Sequence, residues 1–311
     1  MNLPVKFIER LKQIIPPENY ADVLETFSLP RKAWMRINRL KSNIASVREI
    51  LDAENIKYEQ NPIFEFALLI DQLAKDAEII NDLISKGILY PQNISSMLPA
   101  LILNPQAGEN ILDTCAAPGS KTSQMAEMMQ NKGNIQAIEA IPKRLFKLRS
   151  IMQLLGVEIV DSCCCDARKF NANDQLFDKI LVDAPCSSEG RFSTNDPKTI
   201  GYWSPRKIKE MMQKQRGILL SASRLLKTGG TLIYSTCTFA PEENEGIIDW
   251  FLRKCDPSIK MESINLPNNI KTYPAITSWG KKLYSHEVAK SIRILPNGIY
   301  EAFFMAMFKK F

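Results

Sequence analysis

Through the middle of the chain, short apolar runs that end in a polar or acidic residue alternate with stretches whose apolar residues recur at helical spacing. The first such run is Asn110 to Asp113. Ile135 to Ile138 then ends at Glu139, Val157 to Cys165 at Asp166 and Phe177 to Val182 at Asp183, and Thr231 to Ser235 is followed closely by Cys237. Between the runs, the pattern predicts helices over Thr122 to Gln130 and over Pro142 to Leu155, the second stopped by Gly156. A further helix is predicted from Ser204, as the cap before Pro205, through Ile208, Met211, Met212, Leu219, Ala222 and Leu226, with Thr228-Gly229-Gly230 as its end. Repeated strand and helix predict an α/β fold with a doubly wound parallel sheet, whose ligands sit beyond the carboxyl ends of the strands. Asp113, Glu139, Asp166, Asp183 and Cys237 are therefore expected to line one crevice.

The first 85 residues read differently. Phe7, Leu11 and Ile14, then Val23, Leu24 and Phe27, mark two helical stretches separated by Pro16-Pro17. Trp34 to Asn38 reads as a strand, Ser46 to Ala53 as a helix with Ser46 as N-cap and Glu49 three residues on, and Lys57-Tyr58 and Phe64 to Ile70 as further strands. The chain is thus expected to divide into a small α+β appendage, residues 1–85, and a larger α/β domain, residues 86–311, entered through a linker at Tyr90 to Ser96.

Composition narrows the class. The 311 residues are 45% hydrophobic and 24% charged, and apolar runs such as Phe66 to Ile70 are far too short to span a membrane. With Lys6, Glu9, Arg10 and Lys12 near its start, the chain is expected to be cytoplasmic. Seven cysteines with the single His286, and no C-x-x-C pair, disfavour a metal site. Cys163-Cys164-Cys165 would point to alternating faces of a strand and reads as strand filler. The net charge of +6 is unevenly spread: Arg31, Lys32, Arg36, Arg39 and Lys41 occur with no acid among them, and Lys198 to Lys227 holds eight basic residues against Glu210 alone. With Trp34, Tyr202 and Trp203 interleaved, the two runs fit a polyanion whose bases are open to stacking.

The chemistry converges on three stretches. Asp113-Thr114-Cys115-Ala116-Ala117-Pro118-Gly119-Ser120-Lys121-Thr122 is a strand, a tight turn and a helix start. Its small residues Ala116, Ala117 and Gly119 are expected to let a ligand approach the backbone, with free helix N–H groups facing a carboxylate or phosphate. Only one of the glycines of a dinucleotide fingerprint is present, which points to another nucleoside derivative. Glu139 is placed to bind ribose hydroxyls and Asp166 an adenine amino group, although either acid also fits a cap or a surface charge. Asp183-Ala184-Pro185-Cys186-Ser187-Ser188-Glu189-Gly190 aims a carboxylate and a thiol at the same cleft, and Tyr234-Ser235-Thr236-Cys237-Thr238 repeats the device on the next strand, before Pro241-Glu242-Glu243-Asn244-Glu245. Two thiols facing one crevice point to covalent chemistry.

In this order, the three motifs resemble the RNA (cytosine-5) methyltransferases of the RsmB/NOP/NSUN group, over roughly residues 86 to 311. The strand around Arg36-Ile37-Asn38 resembles the RRM-like unit that precedes the catalytic domain in that family. The resemblance implies a Rossmann-like class I methyltransferase fold, with Ala302 to Phe308 as its last, antiparallel strand. It also implies S-adenosylmethionine as cofactor and rRNA or tRNA as substrate, with neither metal nor membrane and a monomer favoured. By the same resemblance, Cys237 is the nucleophile, Cys186 assists product release, Asp183 binds the cytosine edge and Lys121 supports it. Cys115, Ala116, Ala117, Pro118, Gly119, Ser120 and Lys121, with Glu139, Arg144, Asp166, Asp183 and Pro185, form the implied cofactor shell. Asn93 stands where the family more often has Asp, and Ser188 where Gly is usual. RNA grip is expected from the first 85 residues and the Lys198 to Lys227 face. Two rival readings, an amino-group methyltransferase and an RNA-binding assembly factor without chemistry, leave the paired thiols unused.

Overall fold

The computed structural model describes residues 3–71, 73–267 and 270–311. After two helices, α1 (Val5–Ile14) and α2 (Pro17–Thr26), the chain runs β1 (Ala33–Ile37), α3 (Ile44–Ala53), β2 (Tyr58–Gln60), β3 (Ala67–Ile70), α4 (Glu78–Ser85) and β4 (Leu89–Pro91). The order β2-β3-β1-β4, antiparallel throughout, is that of a ferredoxin-like βαββαβ unit. Asn43, not Ser46, caps α3, because its Oδ1 accepts the Ser46 N–H at 2.9 Å. Helix α4 and edge strand β4 follow Ile70 in a stretch whose pattern gave no element, and β4 carries the small sheet beyond residue 85.

This sheet does not offer an open face to RNA. Met35, Arg36 and Ile37 are all buried on β1, and Trp34 packs in a core shared with Ile94, Met97, Leu98, Phe303 and Met305 of the larger unit. Of the first basic run, Arg36 is therefore a core residue, and Arg39, although exposed, is already paired. Arg36 is 1% exposed and pairs with Glu127 at 2.5 Å while donating to Ser123 Oγ at 2.7 Å, and Arg39 reaches the other Glu127 oxygen at 2.5 Å.

The larger sheet is built from β5 (Asn110–Asp113), β6 (Asn134–Glu139), β7 (Val160–Cys164), β8 (Phe177–Asp183) and β9 (Leu226–Thr236), all parallel in the order β9-β8-β5-β6-β7. Helices α5 (Ile94–Leu103), α6 (Ser120–Met128), α7 (Pro142–Leu155), α8 (Pro205–Arg224) and α9 (Glu245–Leu252) connect and cover it. Beyond come β10 (Ile259–Glu262), β11 (Tyr273–Pro274), a small hairpin of β12 (Ser278–Trp279) and β13 (Lys282–Leu283), then β14 (Ile292–Ile294) and β15 (Phe303–Lys310). As expected, β15 is antiparallel: it lies against β9 on one side and against β14 and β10 on the other.

Two local expectations change. Gly229 and Gly230 do not end a helix: α8 stops at Arg224, and the glycines lie inside β9 opposite the register shift at Phe177/Lys179. Gly229 has φ +80°, and a Cβ on Gly230 would stand 2.8 Å from the Asp178 carbonyl, so the pair forms a bulge that only glycine fits. Helices α1 and α2 do not pack on the small sheet. Phe7 meets Phe27, Phe192 and Trp203 edge-on at 5.5, 4.9 and 5.7 Å, and Phe27 lies 6.1 Å from Phe239. These helices therefore clamp the segments that follow Cys186 and Cys237.

The Arg36–Glu127 pair joins β1 to α6, and removing one partner strands a buried charge. Glu127→Ala is expected to cost about 3–5 kcal/mol in urea unfolding, whereas the double variant Arg36→Met, Glu127→Leu recovers most of that loss. A single variant as stable as the parent would show that the pair does not fasten the two units.

Candidate active site

Strands β5, β8 and β9 end side by side, and a cavity of about 640 Å³ opens at their carboxyl ends. One wall is the turn from β5 into α6, with Cys115, Ala116, Ala117, Pro118 and Ser120. Asp113, fully buried at the strand end, holds this turn by accepting from Thr122 Oγ1 at 2.8 Å and, at 3.4 Å, from the Cys115 N–H. Burial pushes its carboxyl up to about 6. Gly119 is also required by packing. Its φ is +115°, and a Cβ there would meet Met152 at 2.6 Å and Leu148 at 2.9 Å, both on α7. The Cys115 thiol is pushed well above its ordinary range, chiefly by burial, which makes it a poor nucleophile.

Of the five strand-end residues expected in one crevice, Asp113, Asp183 and Cys237 line this cavity, whereas Glu139 and Asp166 are not among its lining residues. Glu139 is buried, accepting the Ile141 N–H at 2.9 Å and pairing with Arg144 at 3.2 Å. Arg144 itself lines the cavity and donates to the Ala117 carbonyl at 2.6 Å, so it links Glu139 to the cavity wall. Asp166 turns onto its own loop, where Arg168 grips both oxygens and holds the carboxyl below its usual range.

The opposite wall carries Asp183 and the two cysteines. Lys121, on the first turn of α6, places Nζ 2.7 Å from Asp183 Oδ2 and 2.9 Å from Ser96 Oγ, and Ser235 Oγ donates to Asp183 Oδ1 at 2.7 Å. The Lys121 ammonium also lies 5.5 Å from the centre of the Phe303 ring. Cys186 and Cys237 face each other with their sulfurs 3.4 Å apart. Cys237 is pulled below the ordinary thiol range, first because Cys186 donates a hydrogen bond to it and further by the nearby Arg191, while burial opposes the shift. Cys186 moves up, because of the same bond and its burial. Of the two sulfurs, Cys237 is therefore the one more readily ionised, and Cys186 the one that keeps its proton.

Two buried acids fix the loops that carry these sulfurs, each bracing the other's loop. Glu243, from the segment after Cys237, accepts the Ser187 N–H at 3.0 Å, and Gln215 Nε2 bridges its carboxylate at 2.8 Å to the Pro185 carbonyl at 3.0 Å. Glu189, from the segment after Cys186, accepts from Thr238 Oγ1 at 2.9 Å, the Phe239 N–H at 3.1 Å and Trp203 Nε1 at 2.8 Å. Because Thr238 spends its proton on Glu189, the Ser187 hydroxyl must donate across the 2.8 Å gap between the two loops. Burial raises both acids, Glu243 to about 8. Ser188 takes φ +57°, a conformation natural to glycine, which accounts for the glycine usual at that point of the resembling family.

Sequence reasoning passed over Glu189, Glu243, Arg191, Ser96, Glu301 and Phe303. The first two stand inside the quoted motifs, where acids so close to the cysteines were the available signal. Around the cavity, Arg31 and Lys32 of the first basic run are lining residues. In the second run, Lys207 and Lys214 pair with Glu210 and Lys227 with Asp178, and of the interleaved aromatics Tyr202 alone is strongly exposed. Among the described residues, no helix is long and apolar enough to cross a membrane.

A mixed sheet with an antiparallel β15 and a donor-type corner after β5 defines the methyltransferase class of α/β proteins. The family model described as 16S rRNA methyltransferase RsmB/F matches residues 100–309, and the RsmF/B-like ferredoxin-like domain matches residues 3–75. The chain belongs to this family of RNA cytosine-5 methyltransferases. It is 36% identical over 310 residues to the tRNA (cytosine(49)-C(5))-methyltransferase of Pyrococcus abyssi, covering 98% of this chain and 96% of that one. It is 34% identical over 269 residues to the ribosomal RNA small subunit methyltransferase F of Pectobacterium carotovorum, where it spans 85% of itself but 55% of the relative. A methyltransferase homologue from Pyrococcus horikoshii superposes with a TM-score of 0.80 at 27% identity, over 99% of this chain and all of that one.

The thiol pair makes a measurable claim. Cys237 should be alkylated by iodoacetamide faster than Cys186 at neutral pH. Cys186→Ala removes the donor, so the pH midpoint for Cys237 alkylation should rise. An unchanged midpoint would dissociate the acidity of Cys237 from its neighbour.

Proposed function

We propose that this chain methylates carbon 5 of a cytosine in RNA, using S-adenosylmethionine and a covalent Cys237–cytosine intermediate, in the cytoplasm. The observation that carries the reading is the 3.4 Å sulfur pair, set beside the Lys121–Asp183 ion pair in one cavity. The cofactor fits the chain's own groups. The first turn of α6 offers unbonded N–H groups to the methionyl carboxylate, Ala116 and Ala117 leave room along the wall, and Arg144, which lines the cavity with Glu139 paired behind it, would hold the ribose. When bound, it supplies an electrophilic methyl group on sulfur.

Carbon 5 of cytosine is a weak nucleophile, and the residues act to change that. The Cys237 thiolate adds to carbon 6, so that the electrons of the carbon 5–carbon 6 double bond become available at carbon 5 for the methyl group. The negative charge that develops at ring nitrogen 3 and oxygen 2 is neutralised by a proton that the Lys121–Asp183 pair delivers to nitrogen 3, the pair being held in place by Ser96 and Ser235. When the carbon 5 proton passes to a base in the cavity, the carbon–sulfur bond breaks and Cys237 departs as a thiolate. Cys186, with its proton retained, gives that thiolate a hydrogen bond and so speeds its departure.

The near full-length match to a tRNA enzyme favours tRNA as the substrate. Arg31 and Lys32, which line the cavity, would position it. Incubating the chain with methyl-labelled S-adenosylmethionine and unmodified total RNA should yield 5-methylcytidine, found in the tRNA fraction. Label confined to rRNA would transfer the reading to that substrate, and label in another nucleoside would sink the two-thiol chemistry. Cys237→Ala should abolish turnover without trapping RNA, whereas Cys186→Ala should accumulate a protein–RNA adduct that survives denaturation. The reverse pattern would exchange the two roles.

A further inference from the structure

The cavity contains a carboxylate that the reaction above leaves idle. Glu301 lies just ahead of β15, two residues before Phe303, and lines the same cavity as Lys121, Asp183, Cys186 and Cys237. Its backbone is held from the α5 side, where Ser95 Oγ donates to the Glu301 carbonyl at 2.9 Å. Among the described residues, its carboxylate makes no hydrogen bond and no ion pair. It nevertheless sits within electrostatic reach of Arg31, Arg191 and Lys121, and close enough to raise the Cys237 thiol. Asp183, by contrast, has both oxygens engaged, one by Lys121 and one by Ser235.

A half-buried carboxylate that lines a cavity and has no internal donor is open to a hydrogen bond from an incoming group. The chemistry indicates which group. Thiol addition at carbon 6 and methyl capture at carbon 5 proceed alike on cytosine and uracil, so the thiols and Asp183 do not by themselves tell the two bases apart. The bases differ at position 4, where cytosine carries an amino donor and uracil a carbonyl acceptor. A carboxylate accepts from the first and repels the second. Sites that read a flipped base do so through hydrogen bonds to this edge.

We propose that Glu301 is the residue that makes this cavity select cytosine, by accepting a hydrogen bond from the exocyclic amino group at position 4. The inference rests on the cytosine-5 reading above. It assigns to Glu301 a role in specificity, separate from bond making and breaking.

The test uses synthetic RNA spanning the cytidine that the wild-type chain methylates, with 5-fluorocytidine or 5-fluorouridine at that position. Fluorine cannot leave as a proton does, so each productive addition is trapped as an adduct. The wild-type chain should trap 5-fluorocytidine far faster than 5-fluorouridine, and Glu301→Gln, whose amide can either donate or accept, should shrink that ratio by ~10- to 100-fold. Glu301→Asp, which keeps the charge, should lose rate but retain the preference. A Glu301→Gln chain that is slower on both RNAs yet keeps the wild-type ratio would overturn the inference, since a merely structural or proton-accepting role gives that result.

A second measurement needs no variant at Glu301. In the Cys237→Ala chain, RNA with pyrimidin-2-one at the target, which lacks the amino group, should bind ~10-fold more weakly than the cytidine RNA. Equal binding would overturn the inference. Absence of the 5-fluorocytidine adduct from the wild-type chain would bring down the functional reading and this inference together, whereas selectivity that survives Glu301→Gln removes the inference alone.

Discussion

Two cysteine sulfurs stay in register here because each loop is held by an acid belonging to the other. Glu243 grips the backbone beside Cys186, Glu189 grips the backbone beside Cys237, and the Ser187–Thr238 hydroxyl contact closes the ring. Gly190 completes the arrangement by donating its N–H to the Cys237 carbonyl at 2.9 Å, where a Cβ would collide with that oxygen. A shift in one loop therefore drags the other with it, and the sulfur–sulfur distance is preserved. The neighbouring residues of the run 241–245 extend the anchoring outward. Glu242 pairs with Arg10 of α1, Asn244 takes a hydrogen bond from Thr236, and Glu245 meets Arg293 through two 2.6 Å bonds.

Through these anchors, parts of the chain that look peripheral bear on the chemistry. The aromatic cluster of Phe7, Phe27, Phe192, Trp203 and Phe239 reaches from the first helices to both cysteine loops, and Trp203 hydrogen-bonds Glu189 directly. On the other side, β1 reaches α6 through Glu127, and the first turn of that helix carries Lys121. The cavity is thus positioned from two directions by segments that never touch the reacting atoms.

Much of this was legible in the residues because it is written in local patterns. Strand-end acids, Gly156 as the stop of α7, Ser204 as the cap of α8 and the two cysteine motifs all follow from neighbours in sequence. What escaped depends on partners distant in the chain. Arg36 looked like one charge in a basic run, and only its encounter with Glu127, 91 positions on, makes it a core residue. Gly119 reads in sequence as a residue of a ligand-binding turn, and only the structure adds that α7 packs Met152 and Leu148 where a Cβ would stand. Glu139 and Asp166 were aimed correctly by their strands but then met Arg144 and Arg168, which drew them out of the cavity wall. The Gly229-Gly230 pair signals either a helix stop or a bulge, and the neighbouring strand at Asp178 decides between them.

The buried Arg36–Glu127 pair also bears on how such enzymes diversify. A recombination that exchanged the small sheet for an unrelated RNA-binding module would leave Glu127 without its partner, inside the helix that presents Lys121. The junction between the two units is consequently hard to cut and rejoin. New substrate preferences in this architecture are then expected to arise by adding modules at the ends or in surface loops, or by changing side chains around the cavity, with the inherited sheet kept in place.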